Sequence, residues 1–534
     1  MLGVILALLV VPLAAGVVTF LVPARLAAGI TIASGIACFA LVLALVPEAA
    51  HGTLNYLSYL RVDAVSGVFL LATGFLYAAV AVYAAGYLKD RTDQYARRFY
   101  LGFNVFAWAM LAAPLMSSLA LLWIAIEVTT VVSALLVAIE TGQPGEQGDG
   151  AAEASWKYVL IASAGLGLAL LATIFAYYAG AQVLGAHSNL AIAPLIAAGP
   201  RLPKTPVELS FLLAVLGFGT KVGLVPVHTW LPDAHSEAPT PVSALLSGAL
   251  LATSFYAILR FYQVAAAALG TAIPRDTLLA FGIASLLLAS LYLFGQRDVK
   301  RMLAYSSVEH MGILAIGVSF GAPVALAGVF LHVLAHAAAK GNAFMGAGVF
   351  TVKYGTKQMA VMRDGLRLLP WTGPTFLLAV FALCAIPPFG IFRSEFEIVA
   401  GGLDGGSDAA AAVLVILVTL AFFGLATSVT GMLLTPGPVE ARAGGHGAHP
   451  DGAQADGSRA DGAHPGSGAG ADGTAVAVAT RAPADRLLAP GEPSTWMVVP
   501  VLAGLAVLVL LGVHPPAELT RLITQAAAQL RGAP

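Results

Sequence analysis

Six ionisable residues lie in or beside stretches that are otherwise almost wholly apolar: Glu127, Lys221, Glu309, Lys340, Arg393 and Glu395. A charge inside a bilayer costs at least about 2.5–3.5 kcal/mol on insertion scales, so such groups mark ion or proton pathways by default. One buried pair could simply lock two helices together. Six such groups argue for a route instead. Glu127 sits mid-way along LLWIAIEVTTVVSALLV, and Lys221 lies in LLAVLGFGTKVGLVPVHTW, five residues before Pro226. Proline inside a helix removes a hydrogen bond and clashes with the preceding turn. Such breaks are tolerated at membrane depth where the freed backbone lines a cavity or is covered by protein. A second break is written in LCAIPPFGIFRSEFEIV, where Pro387, Pro388 and Gly390 precede Arg393 and Glu395. Two interrupted helices in corresponding places, each with a buried charge, suggest inverted repeats around a midplane ion site.

The clearest candidate wire is LHVLAHAAAKGNAF. Its His332, His336 and Lys340 are spaced four apart and fall along one helix face, over about 12 Å of rise. Histidine titrates near neutral pH and can relay protons. The competing chemistry is metal or haem binding. A helical HxxxH can hold zinc, but a catalytic zinc helix carries Glu beside the first His, and here the neighbour is Val333. Axial haem ligands would come from facing helices; His228 and His310 are conceivable, yet no spacing selects them. The expectation is no metal and no cofactor in this chain.

These groups need a scaffold, and the composition describes one. The chain has 534 residues, 59% hydrophobic and 10% charged, with 27 basic against 28 acidic side chains; an ordinary soluble domain is roughly 25% charged. That balance excludes a disordered regulator and a basic nucleic-acid binder, so no nucleic-acid partner is expected. The two cysteines, Cys38 and Cys384, both lie in apolar runs and cannot supply four-cysteine zinc or iron–sulfur ligation. The class is an all-α polytopic membrane protein in a lipid bilayer. At about 20 apolar residues per span, fourteen candidates start near positions 1, 25, 62, 99, 117, 156, 207, 241, 277, 301, 323, 370, 409 and 495. The alternating ten-residue segments of a β-barrel do not occur. The opening MLGVILALLVVPLAAG lacks the basic flank of a signal peptide and reads as the first span.

Lys and Arg near span ends orient the chain. With the N-terminus outside, the inner loops hold Arg25, Lys89, Arg91, Arg97, Arg98, Lys157, Arg297, Lys300, Arg301, Lys353, Lys357, Arg363 and Arg367. The outer segments hold only Arg61, Arg201, Lys204, Arg260, Arg275, Arg521 and Arg531. Both termini are therefore expected on the outer face. The expected units are residues 1–98 (spans 1–3), 99–263 (spans 4–8, first repeat), 277–435 (spans 9–13, second repeat), a disordered cytoplasmic loop 436–494, and 495–534 (span 14 and tail). The loop is low-complexity Gly/Ala/Asp/His with nothing to bury, and its three histidines read as part of a passive linker.

Several long strings carry a family resemblance. KVGLVPVHTWLPDAHSEAPTPVSALLSG and GQRDVKRMLAYSSVEHMG resemble the signatures of the antiporter-like, proton-translocating subunits of respiratory complex I and membrane-bound hydrogenases. HVLAHAAAKGNAF and IPPFGIFRSEF continue the match in order, over roughly residues 60 to 435. IEVTTVVSALLV, SSVEHMG and FRSEF resemble the hydrogenase-4 component F branch in particular. The resemblance implies that Glu127 is the family's fifth-span glutamate and Lys221 its seventh-span lysine partner. It implies that His332, His336 and Lys340 form the central relay and Glu395 the terminal site, with Lys300 matching the lysine of the second signature. His228, Lys300, Glu309 and Arg393 stand as accessory candidates. Ala252 occupies the place where many members carry a bridging lysine; Ser247, Thr253, Ser254 and Tyr256 could hold water across that gap. The implied activity is proton movement coupled to electron transfer in a bacterial-type inner (plasma) membrane. Other membrane subunits and peripheral redox subunits would be the partners, with iron–sulfur clusters and a nickel–iron site in those chains. A subunit of a sodium/proton antiporter without electron transfer is the alternative, although a lysine site favours protons because sodium prefers carboxylate and carbonyl oxygens.

Overall fold

The structure, a computed structural model, describes residues 1–141, 146–185, 188–436 and 489–532. Apolar runs become helices here because lipid offers no partner to a backbone N–H or C=O, so each segment must satisfy its own. Helices α1 (Leu2–Leu21) and α2 (Ala24–His51) lead to an antiparallel hairpin, β1 (Leu54–Tyr56) and β2 (Leu60–Val62), with Asn55 opposite Arg61. Next come α3 (Ala64–Tyr87), α4 (Asp93–Ala112), α5 (Leu119–Val137), α6 (Glu146–Leu184), the short α7 (Ile192–Ala198), α8 (Lys204–Val222) and the short α9 (Trp230–Glu237). A π-helical turn, Leu246–Leu250, joins α10 (Thr240–Leu245) to α11 (Leu251–Leu269) in one long element. The second half runs α12 (Ala272–Tyr292), α13 (Val299–Phe320), α14 (Pro323–Tyr354), the short α15 (Gly365–Leu368), α16 (Thr372–Leu383), α17 (Gly390–Asp404) and α18 (Asp408–Leu434). Two further helices, α19 (Thr495–Val513) and α20 (Ala517–Arg531), follow residue 489.

The chain is a multi-pass membrane protein. Among the described residues, twelve helices are long and apolar enough to cross a bilayer. Two of the fourteen expected starts fall outside that set. One is α4, whose first turns carry Asp93, Arg97 and Arg98. The other is the span expected from residue 370, which is divided into α16 and α17, of 12 and 15 residues. Helices α10–α11 are buried throughout and α13 and α14 nearly so, whereas only a third of α1, α12 and α18 is covered. Glu309 and Lys340 therefore sit on helices that other helices surround.

Both expected interruptions are present, but neither proline makes the break. Helix α8 stops at Gly223, three residues short of Pro226: this glycine takes left-handed backbone (φ 83°), and both its N–H and that of Leu224 return to the Gly219 carbonyl. Glycine tolerates that conformation without a Cβ penalty. Helix α16 likewise ends at Cys384, ahead of Pro387 and Pro388.

Two other features were not anticipated. The hairpin is one. The other is α20, in place of the expected tail: its Leu519, Leu522, Ile523, Ala526, Ala527 and Leu530 recur at helical spacing and are buried against α2, α3 and α14. Of the loop expected at 436–494, residues 437–488 lie outside the described residues, and 489–494 are fixed by hydrogen bonds. Lys353 Nζ donates to the carbonyls of Ala489 (2.6 Å) and Gly491 (2.7 Å), and Glu492 Oε1 accepts the N–H groups of Trp371 (3.0 Å) and Thr372 (2.9 Å). Glu492 thus satisfies donors that the start of α16 would leave orphaned.

Candidate functional site

The first cluster forms where α6 and α8 touch backbone to backbone. A Cβ on Gly217 would stand 2.5 Å from the Ala169 nitrogen, so only glycine permits this approach. It brings Tyr158 of α6 to Lys221, which is fully buried in the last turn of α8, the end of a helix that favours a cation. Lys221 Nζ donates to Tyr158 Oη at 2.5 Å and lies 4.8 Å from that ring's centre. Ser133 Oγ sends its proton to the Thr129 carbonyl (2.5 Å), so the 2.7 Å contact between Tyr158 and Ser133 has tyrosine as donor. The chain of donors runs one way, from Lys221 through Tyr158 to Ser133. Trp230 packs on Tyr158 with ring centres 4.5 Å apart, and its Nε1 donates to the Thr220 carbonyl at 2.6 Å.

The ion pair expected between Glu127 and Lys221 is not closed in this structure: among the described residues, Glu127 has no cationic partner within contact distance and its Oε2 has no hydrogen-bond partner. The reason is the face it occupies. Glu127 is half-buried on a side of α5 that also presents the exposed Ile124 and Val131, while the last turn of α8 aims Lys221 at α6.

The second cluster is larger and lies on α13, α14 and α17. Gly328 lets α14 meet α17, since a Cβ there would stand 2.8 Å from the Ser394 carbonyl oxygen. One turn on, His332 Nδ1 is 3.0 Å from Ser394 Oγ. That hydroxyl donates to the Ile391 carbonyl at 2.8 Å, so it can only accept from His332. His332 is therefore protonated on Nδ1 and presents a lone pair on Nε2, 3.2 Å from His310 Nδ1. The His336 ring lies 5.3 Å from that of His310, centre to centre, and both its nitrogens are buried without partners. Glu395 Oε1 stands 4.0 Å from His310 Nδ1, also unpartnered. At the other end, Lys340 Nζ donates to Ser306 Oγ and to the Leu303 carbonyl (3.0 Å). Glu309, one turn along α13 from Ser306, is buried with Oε2 free of any partner.

Between the clusters lies the gap marked by Ala252. Of the four residues expected to hold water there, Thr253 and Ser254 spend their hydroxyls on carbonyls of their own helix, and Tyr256 turns to Pro114 and Ser66. Only Ser247, in the π-helical turn, reaches across, to Ser307 at 2.8 Å. Ser307 shares the Leu303 carbonyl with Lys340. This polar thread extends from Lys340 as far as α10–α11.

The accessory candidates divide. Lys300 is buried, with Nζ donating to the Ala238 carbonyl (2.8 Å) at the wall of a cavity of ≈ 250 Å³ lined also by Arg91, Glu140, Glu237 and Lys357. His228 is buried in the segment between α8 and α9 with Nδ1 unpartnered. Arg393 does not join the cluster: it pairs with Glu397 one turn on (2.9 Å) at a partly exposed surface of α17. Sequence reasoning missed His235, whose ring stacks on Phe344 at 5.1 Å with neither nitrogen partnered. Phe344 is one turn from Lys340, and Ser236, Glu237 and Ala238 line the cavity, so His235 stands between cavity and lysine. Its signal was present in HTWLPDAH, a second histidine seven residues after the first.

Arg260, counted from sequence as an outer-loop charge, is instead fully buried on α11 and bound to Asp63 at 2.6 Å. Burial alone would raise the Asp63 carboxyl, but Arg260, Arg61 and the Ser66 N–H hold it well below the usual carboxylate range.

The family model described as NADH:quinone oxidoreductase/Mrp antiporter, transmembrane, matches residues 116–424. Hydrogenase-4 component F homolog of Methylacidiphilum infernorum (isolate V4) is 33% identical over 369 residues, 68% of this chain and 76% of the relative. NADH-quinone oxidoreductase subunit N of Desulforudis audaxviator (strain MP104C) is 31% identical over 368 residues, 68% of this chain and 71% of that one. A chain of the Mrp complex from Dietzia sp. DQ12-45-1b has the same fold, with a TM-score of 0.78 at 23% identity over 99% of this chain and 98% of that chain.

Proposed function

Because this chain belongs to the NADH:quinone oxidoreductase/Mrp antiporter transmembrane family, we propose that it is the proton-translocating membrane subunit of a multisubunit redox complex. The observation that carries this reading is the file of buried titratable groups on α13, α14 and α17: Lys340, Glu309, His336, His310, His332 and Glu395. Burial of this many ionisable groups costs stability that an inert scaffold would not bear.

In this reading a proton enters through the cavity beside Lys300, passes His235 and reaches Lys340. From there Glu309 and the three imidazoles carry it to Glu395. His332 can receive a proton on Nε2 and release one from Nδ1, because Ser394 fixes its tautomer. Lys221 and Glu127 form a second, switchable pair, and the arrangement with Lys221 on Tyr158 is its open state. Moving one charge against 100 mV costs about 2.3 kcal/mol, which must come from electron transfer in partner chains holding iron–sulfur clusters and a nickel–iron site. The interruptions of α8 at Gly223 and α16 at Cys384 support two inverted repeats, residues 99–263 and 277–435. The excess of Lys and Arg on one side supports both termini on the outer face of a plasma membrane.

The test is proton uptake into proteoliposomes holding the intact complex, followed with a pH-sensitive dye, alongside identification of the chains that co-purify in mild detergent. Loss of coupled uptake in Lys340→Met or Glu395→Gln, with redox subunits present, is the expected result. Undiminished uptake in both variants defeats the reading.

A further inference from the structure

His310 of α13, His332 of α14 and Glu395 of α17 are far apart in sequence, yet one donor atom from each lies within 4.8 Å of the others. We propose that these three side chains bind one zinc ion, and that the bound ion blocks the imidazole relay. Binding rests on geometry alone; the block rests on the proton-relay reading above.

Zinc–imidazole bonds of about 2.0–2.1 Å in a tetrahedral shell place two nitrogens about 3.3 Å apart. His310 Nδ1 and His332 Nε2 are separated by 3.2 Å. Glu395 Oε1 is 4.0 Å from His310 Nδ1 and the trio spans up to 4.8 Å, so the carboxylate must close by about 0.7 Å on His310 and by up to about 1.5 Å on His332 to complete the same shell. That oxygen has no partner in the protein although its side chain is more than nine-tenths buried, and it points at the imidazoles. The outer support is already built for His332, while His310 Nε2 is buried with no acceptor. A ligating histidine gives its other N–H to a fixed acceptor, and His332 Nδ1 already donates to Ser394 Oγ at 3.0 Å. Two imidazoles, one carboxylate and a water form a known zinc donor set, whereas magnesium and calcium prefer all-oxygen shells. Binding is ligand exchange without redox change: His310, whose Nδ1–H faces the His332 lone pair in the empty site, moves that proton to Nε2, which frees the Nδ1 lone pair, and zinc releases waters of hydration. The ion then occupies both facing lone pairs and the carboxylate.

The same three residues were opaque to sequence reading because HxxxH on α14 suggested His332 with His336 as the ligand pair. In the fold His336 has neither ring nitrogen in contact with a donor or acceptor, and the second imidazole comes from α13.

The test uses the full-length chain purified in mild detergent with its co-purifying chains, loaded with zinc chloride and desalted. Metal per chain is measured by plasma mass spectrometry, and the coordination shell by X-ray absorption. One zinc per chain with a nitrogen/oxygen shell is expected, unaffected by excess magnesium. His332→Asn and Glu395→Ala should each weaken zinc by at least about 100-fold, and Ser394→Ala by about 10–100-fold through the outer support. His336→Gln should retain the metal. Should the ligand variants fail to fold, Ser394→Ala against His336→Gln carries the same comparison. Zinc that survives both Glu395→Ala and His332→Asn would be held elsewhere, for example by His446, His449 and His464, and would overturn the site. No retained zinc overturns it too. One zinc per chain with undiminished proton uptake leaves the site standing and counts against the relay.

Discussion

The Lys221 and Lys340 clusters solve the same problem, a lysine buried in a bilayer, by different means. Lys221 gives its hydrogen bond to a tyrosine and stops at a serine that donates to backbone. Lys340 sits on a file of buried carboxylates and imidazoles, side chains whose own N and O atoms can each hold or pass a proton. In the proposed mechanism the first arrangement is a holding site with one way in, and the second is a conductor with several stations, where the tautomer of His332 sets direction. A third buried cluster, Asp63 with Arg260, is closed on itself and marks what a purely structural charge pair looks like here.

The contrast can be broken by substitution. The largest effect belongs to the structural pair: Arg260→Ala strips the buried Asp63 carboxylate of its shortest ion pair, leaving Arg61 and the Ser66 N–H, and should cost up to about 3 kcal/mol, measured as lost thermal stability in detergent. The same depressed carboxyl makes its contribution above about pH 3.9, the unfolded value of aspartate, and loses it as pH falls through the folded one. An Arg260→Ala protein as stable as wild type at neutral pH would erase the distinction between structural and working charges. Next, Lys340→Met should abolish coupled proton uptake in proteoliposomes, while Tyr158→Phe, which removes the hydrogen bond of a charged donor worth about 1.5–3 kcal/mol, should slow it by roughly 10–100-fold. Equal and complete loss in both would mean one continuous path rather than a store and a conductor. The smallest effect is expected at Ser247→Ala: a net hydrogen bond of about 1 kcal/mol corresponds to roughly a fivefold slowing. No change at all would show that the thread from Leu303 to α10–α11 carries nothing.

Much of this was legible before the fold was known. Span placement follows from apolar length, although two of the fourteen expected starts fall outside the twelve helices long and apolar enough to cross, and Glu127, Lys221, His332, His336, Lys340 and Glu395 stand out because a bilayer makes each expensive. What stayed hidden depends on facing rather than on spacing. Tyr158 and Ser394 look like ordinary helix residues until α8 and α14 press against them. Arg260 read as an interfacial arginine because its partner lies 197 positions away. Arg393 read as buried because hydropathy averages over faces, and the helix turns it to a partly exposed side beside Glu397. Helix α20 escaped because a bilayer span needs about 20 apolar residues, and its apolar half covers only one side.

The anchoring of residues 489–494 has a practical side. The Thr435 carbonyl accepts the Asp364 N–H (3.0 Å), and the Gly491 N–H donates to the Leu368 carbonyl (3.0 Å). The two shores of the intervening stretch are thus moored to the same five-residue pier. Closure entropy grows only with the logarithm of length, about 0.6 kcal/mol per doubling. A fluorescent protein or affinity handle spliced between those moorings should therefore leave both neighbouring helices seated, giving a reporter position that the working interior does not feel.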